Sequence, residues 1–212
     1  MRKLKDKKCA VCGTAFTPFN SLAKVCSVKC SIEFGRKKAW KSEKKEREER
    51  LKTHSDRENE LQPVINEIVL LIDKGLNCIS CGAKVSYDNR ANAGHRFAVG
   101  GNNTLRFNLH NIFSQNVCCN KWKNGNPDGY DEGLISMYGK NYYEYVKFEL
   151  KRLYPQVKLT AIELMEKRAI AMKIRNELKK ADKVYIPSER IALRNRINEQ
   201  IGIYPFGFKN YI

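Results

Sequence analysis

The chain has 212 residues, 42% of them hydrophobic and 10% aromatic, enough for one ordinary domain or two small ones. Forty Lys and Arg against 23 Asp and Glu leave a net charge of +17, beyond the roughly 2–8 that colloidal stability asks for, so a polyanion, above all nucleic acid, is the expected partner. A bilayer-spanning helix is excluded because no apolar run exceeds the five residues Ile68 to Ile72, and collagen-like, Pro-rich and Gly/Ser-rich classes are excluded by 13 Gly and 6 Pro.

The basic start, Met1-Arg2-Lys3-Leu4-Lys5, leads into no apolar stretch, so no secretory leader is expected and the protein is assigned to the cytoplasm. Eight cysteines in that compartment argue for metal ligation rather than disulfides. Cys9 and Cys12, then Cys26 and Cys30, form a complete four-thiolate set, with Gly13 placed for a tight knuckle turn. Residues 1–32 are therefore read as a zinc finger whose ion supplies folding energy that so short a segment cannot draw from a core. Cys30 should begin a helix.

From Ser31 to about Arg57 the chain is highly charged, with opposite charges three or four residues apart, which predicts a solvated helix. Residues 1–50 carry 15 Lys and Arg against 6 acidic residues, so this segment is either a DNA-tracking arm or a connector. His54 is expected to be an exposed bystander. Leu61, Val64, Ile65, Ile68, Val69, Leu71 and Ile72 recur at helical spacing, predicting an amphipathic helix ended by Gly75 and closing a 33–76 linker segment.

Residues 77–127 carry the densest chemistry. Cys78 and Cys81 open a second knuckle. Strand-like pieces at 93–99 and 104–107, joined by Gly100-Gly101-Asn102-Asn103, predict a hairpin. Cys118-Cys119-Asn120 then opens a short polar helix stopping near Gly125. Phosphodiester hydrolysis needs a base for water and a cation for the growing phosphate charge. His95, beside Gly94, could be that base if zinc pins the hairpin to the helix carrying Asn120, although a lone His is more often structural.

Within a 128–182 helical extension, Tyr142, Tyr145, Val146, Leu150 and Leu153 form one helix face, ended before Pro155. Ile162, Met165, Ala169 and Met172 form a second, read as core-facing although its spacing is coiled-coil-like. A further basic cluster lies between Lys167 and Arg196, and residues 183–212 read as a basic tail ending in Tyr204-Pro205-Phe206-Gly207-Phe208. The fold class expected is α+β: a four-Cys finger, a helical linker, a zinc-stabilised ββα core and C-terminal helices.

The order Cys78-x-x-Cys81, Ala93-Gly94-His95, Leu105-Arg106-Phe107-Asn108, Asn111-Ile112, Cys119-Asn120 and Lys123-Asn124-Gly125-Asn126 resembles the HNH, or ββα-metal, nucleases. Together with the Cys9/Cys12/Cys26/Cys30 finger, its Phe16-Thr17-Pro18-Phe19-Asn20-Ser21-Leu22 stretch and the Leu134 to Gly139 segment, it is similar to the phage lambda NinG (Rap) family over residues 5 to 180. The resemblance implies a structure-specific endonuclease acting on branched recombination intermediates, Holliday junctions and D-loops, with Mg²⁺ or Mn²⁺, in the host cytoplasm. By the same resemblance His95 is the general base, Asn120 a metal-binding residue and Asn111 a brace for the metal-site loop. Arg106, Lys121 and Lys123 are assigned to the DNA backbone from charge and position. A two-fold symmetric junction would call for a homodimer.

Two positions depart from the family pattern. Asn116 stands where HNH enzymes place a zinc thiolate, so Cys78, Cys81 and Cys119 are the expected ligands, with Cys118 or Asn116 open as the fourth. Gly94 stands where many have an acidic or His ligand, leaving Asn92, Asp88 or water to complete that shell. His110 is either an auxiliary ligand or a surface residue. The rival reading is a non-catalytic zinc-finger DNA-binding protein that assists recombination.

Overall fold

The computed structural model describes residues 4–85, 90–100 and 103–209. It is a helix-rich α+β structure with two small two-stranded sheets, divided into a unit Met1–Lys52 and a unit Thr53–Ile212. The boundary falls inside the stretch read above as one 33–76 linker.

In the first unit, β1 (Lys7–Lys8) pairs antiparallel with β2 (Ala15–Phe16) around the first knuckle. Helix α1 (Val28–Leu51) begins where Ser27 accepts the Cys30 N–H, and it buries no residue. It is the solvated helix expected from its charges, starting two residues before Cys30. Ion pairs such as Lys37–Glu33, at 2.8 Å, line it four residues apart.

The second unit starts at a capping box in which Thr53 and Asp56 satisfy each other's backbone N–H groups, launching α2 (His54–Ile72). Leu61, Val64, Ile65, Ile68, Val69 and Ile72 are buried, and Gly75 follows in the left-handed region at φ +81°. Strand β3 (Ala91–His95) pairs antiparallel with β4 (Ile112–Asn116), with His95 opposite Ile112 and Gly94 opposite Phe113. The expected hairpin is therefore corrected. Residues 103–105 form a 3₁₀ turn, not a strand, and β3's partner comes seventeen residues further on. The turn residues Gly101 and Asn102 lie outside the described residues. The segment 104–107 alternates polar and apolar residues as an exposed strand would, whereas the strand that pairs with β3 is β4, which is buried throughout.

After β4 comes one π-helical turn, Cys118–Trp122, then α3 (Pro127–Tyr138) and α4 (Lys140–Glu144). A second π turn, Tyr145–Glu149, leads into α5 (Leu150–Leu153). Helix α6 (Ala161–Ala181) packs on α2 through Leu164, Ala171, Ile174 and Leu178. Three of the four residues expected to face the core are instead outward: Ile162 is 68% exposed, and Met165 and Ala169 are exposed too, while Met172 is partly buried against the core. Two apolar stripes share this helix, and the one carrying the leucines is buried. The stretch read as a tail is helix α7 (Pro187–Ile201), whose Leu193, Arg194, Ile197, Asn198 and Ile201 are buried.

Glycines let α3 lie against the second knuckle. A Cβ on Gly133 would sit 1.7 Å from the Ile79 carbonyl oxygen, and one on Gly129 would sit 2.2 Å from that of Ser80. Gly133→Ala is expected to cost about 1–3 kcal/mol, the range for overpacking against backbone. Urea unfolding would measure the loss, and metal analysis should show weakened retention at Cys78 and Cys81.

His110 is not a surface residue: it is buried in a ring cluster, its Nδ1 2.8 Å from the Tyr142 hydroxyl and its ring T-shaped to Tyr145. Burial, with the Arg194 charge nearby, pushes its pKa down to about 3. The unfolded chain, with an ordinary His near 6.5, takes up the proton first, so stability present above that pH is lost as pH falls toward 3. Between pH 7 and pH 5 the loss should be about 2 kcal/mol. Unfolding curves at both pH values should show His110→Gln less sensitive by that amount.

Candidate functional site

The two knuckles share one backbone plan. Cys9 N–H donates to Thr14 O and Gly13 N–H to Cys9 O; Cys78 N–H donates to Ala83 O and Gly82 N–H to Cys78 O, each at 2.9 or 3.0 Å. Both glycines occupy positive φ, +75° and +67°. The turn converges two thiols, which is why Cys-x-x-Cys-Gly could be read from sequence.

In the finger, the sulfurs of Cys9, Cys12, Cys26 and Cys30 all lie within 4.8 Å of one another. Cys12 to Cys26 is 3.5 Å and Cys26 to Cys30 is 3.8 Å. A tetrahedron of Zn–S bonds about 2.3 Å long has edges of about 3.8 Å, so the set fits zinc. The Cys12 peptide N–H lowers the Cys9 thiol to about 6, while the neighbouring Cys12 sulfur pushes Cys26 up to about 12. Four such sulfurs can all ionise together only with a cation among them.

The second cluster comprises Cys78, Cys81 and Cys119, again within 4.8 Å. Cys118 is exposed and outside it. Asn116 lies beside the set, its peptide N–H donating to Cys78 Sγ at 3.2 Å and its Nδ2 3.9 Å from Cys81 Sγ. Burial and the Cys81 sulfur push Cys119 up to about 12. The three thiols could hold a metal ion such as zinc. The cluster ties the turn after β4 to the knuckle before β3.

His95 ends β3, half-buried, with Nε2 2.9 Å from the Arg106 carbonyl. A carbonyl only accepts, so Nε2 carries the proton and the neutral ring keeps its lone pair on Nδ1. Burial is the main cause that lowers its pKa from the usual range, and the Arg106 charge adds to it. The ring is therefore an unprotonated base at neutral pH.

The loop offering that carbonyl is fixed from both sides. Asn111, fully buried, accepts from Phe97 N–H at 2.8 Å and donates to the carbonyls of Phe97 and Leu105. Arg106 reaches back to α2, donating to Gln62, Glu58 and Asn59 at 3.0–3.1 Å. Its side chain and that of Glu58 are each 13% exposed, so the guanidinium assigned to DNA is engaged within the protein. It holds the loop whose carbonyl holds His95.

Gly94 is explained by its neighbour. A Cβ there would lie 2.1 Å from Gln115 Oε1, on the sheet face opposite His95. Gln115 is itself held by Ser80 Oγ and the Gly125 carbonyl, both at 2.6 Å. The position thus links strand to knuckle and has no room for a ligand side chain. Asn92 sits in β3 opposite Gln115, and Asp88 lies outside the described residues.

Asn120 is half-buried on the π turn directly after Cys119, while Lys121, Trp122 and Lys123 are exposed, Trp122 to 80%. Sequence reading passed over Trp122, though an aromatic between two lysines is a usable signal. Strand pairing places His95 opposite the residue after Asn111, and β4 runs on to the turn bearing Asn120. Among the described residues no hydrogen bond joins His95 to Asn120, and the only clusters of three or more His, Cys, Asp or Glu of metal-binding size are the two cysteine sets. His54 is exposed, with Nε2 2.8 Å from the Leu159 carbonyl.

The model of the family described as Bacteriophage Lambda NinG protein matches residues 1–184. The chain belongs to the NinG family. It is 39% identical to Protein ninG of Escherichia phage lambda over 79 residues, a stretch covering 37% of this chain and 38% of that protein's length. Against Protein ninG of Escherichia phage 933W it is 30% identical over 161 residues, covering 66% and 79% of the two chains. Protein ninG of Salmonella phage P22 is 34% identical over 91 residues, 43% and 44% of the two. No solved structure matches. The NinG match ends at residue 184, before α7, which nonetheless fills part of this chain's core. Among the described residues, no helix is long and apolar enough to cross a membrane.

Proposed function

We propose that this NinG-family chain is a metal-dependent endodeoxyribonuclease of the HNH type that cuts branched recombination intermediates, Holliday junctions and D-loops. The observation that carries the reading is the His95 ring, tethered through Nε2 to the Arg106 carbonyl and thereby left with a free lone pair at Nδ1. Nδ1 takes a proton from water as the oxygen attacks phosphorus in line, the P–O3′ bond breaks, and the departing 3′ oxygen takes up a proton from solvent water, leaving 5′-phosphate and 3′-hydroxyl ends. Asn120 is the residue that would hold a Mg²⁺ or Mn²⁺ ion, which when bound stabilises charge on the phosphate and the leaving oxygen. Asn111 keeps the loop in register. Lys121 and Lys123 face solvent where a phosphate backbone could run, and the +17 charge favours the polyanion. Paired cuts in a symmetric junction require two sites, hence a homodimer acting in the host cytoplasm.

A second reading, a non-catalytic zinc-finger accessory protein, draws support from Asn116 and Gly94, where an HNH enzyme carries ligands. One experiment separates the two. The protein and its His95→Ala variant are incubated with a four-way junction and Mg²⁺, and binding is followed alongside cleavage. The enzyme reading expects cleavage by the wild type alone with binding by both. Binding without cleavage by either would leave the accessory protein.

A further inference from the structure

The finger's Phe16-to-Ala23 stretch takes no part in the chemistry above, yet it is built with care. Phe19 is 86% and Leu22 82% exposed, while Pro18 and Ala23 beside them are buried. Asn20 Oδ1 accepts the N–H groups of Leu22 and Ala23 at 2.9 and 2.8 Å. Lys7 Nζ donates to the Ser21 carbonyl at 2.6 Å, and Thr17 Oγ1 to Asp6 at 2.7 Å. Ala10 N–H donates to the Lys24 carbonyl, tying the stem to the first knuckle. Two apolar side chains are thus held outward on a turn fixed from below. Solvation alone does not favour that arrangement.

The finger's charge narrows the occupant. Residues 4–30 carry five lysines and one Asp. An apolar protein groove or a lipid surface would meet Phe19 and Leu22 but not require so one-sided a frame, whereas nucleic acid offers both phosphates and base faces. Base faces in intact duplex are stacked and closed; those at a branch are not. We propose that the Phe19–Leu22 tip is a wedge that enters an unstacked base step at a DNA branch, while the surrounding lysines hold the flanking phosphates. This rests on the reading that branched DNA is the substrate. It adds that the finger, not the His95 site, supplies the preference for branches.

The test reads binding and base stacking only, on a His95→Ala background, so absence of cleavage does not bear on it. The full-length, zinc-loaded protein is titrated into a four-way junction and a linear duplex of the same sequence, each with 2-aminopurine beside the branch position. The wedge predicts a fluorescence rise at a branch-flanking 2-aminopurine and none in the linear duplex. Phe19→Ala with Leu22→Ala should abolish the rise and weaken junction binding by roughly 5- to 150-fold, the span for losing one aromatic–base stack. Linear-duplex affinity should change less than twofold, and Phe19→Trp should restore junction binding. Zinc content equal to the parent's confirms that the finger is intact. No rise with the parent at any branch-flanking position overturns the proposal whatever the variants do. So does a double variant that binds the junction as tightly as the parent, or one that loses junction and linear duplex alike.

Discussion

Replacing Arg194 by Met is expected to lower the stability of the second unit by about 3–5 kcal/mol, the cost of stranding one partner of a buried ion pair. Arg194 and Asp73 are both completely buried. Arg194 Nη2 lies 2.9 Å from each Asp73 oxygen, and Nε donates to the Leu109 carbonyl at 3.0 Å. The guanidinium also lies over the Phe113 ring at 4.2 Å. Asp73 Oδ2 accepts the Ser114 N–H at 2.9 Å. The pair therefore joins the end of α2, strand β4 and helix α7. Methionine fills similar volume but leaves the carboxylate in a dry interior with a single N–H donor. Thermal unfolding should fall by roughly 10 °C for a unit of this size. Adding Asp73→Asn should recover much of the loss, because the amide oxygen still accepts from Ser114 and no lone charge remains. If Arg194→Met unfolds with the parent, the pair does not hold these elements together.

The same pair explains why α7 was hard to read. Its buried residues Arg190, Leu193, Arg194, Ile197, Asn198 and Ile201 follow helical spacing. Half of them are charged or amide side chains, so a composition reading finds a basic tail. Their partners, the Ile72 carbonyl, Asp73 and Asn108, lie about ninety or more residues away, and no local pattern reports them. Helix α2 was legible because its core face from Leu61 to Ile72 is aliphatic. The knuckles were legible because Cys-x-x-Cys-Gly is a local device, complete within six residues. Strand β4 was missed for a contact reason: Ser114, Gln115 and Asn116 look like loop residues, yet each is buried and bonded, to Asp73, to Ser80 and to Cys78. His95 was singled out by its chemistry together with the resemblance to the HNH nucleases. That its carbonyl partner belongs to Arg106, itself held by Glu58, needed the fold.

His95→Ala is expected to lower single-turnover cleavage of a four-way junction by roughly 100- to 10,000-fold, the usual contribution of a positioned general base. Junction affinity should stay within about twofold, because the ring is half-buried on β3 and contributes no charge at neutral pH. The pH profile carries more information than the size of the loss. A base must be unprotonated to act, and burial lowers His95 below the ordinary His value near 6.5. Cleavage by the wild type should therefore be flat across neutral pH and fall as pH drops through a value below about 6.5, tenfold per unit. The variant's residual rate should lack that limb. The tether predicts a further asymmetry. Glutamine at 95 can offer an oxygen where Nδ1 stands or a donor toward the Arg106 carbonyl, but it has no basic nitrogen, so His95→Gln should restore neither rate nor limb. An alanine variant cutting at the wild-type rate with the same acid limb would show that another group takes the proton, and the nuclease reading would lose its central residue.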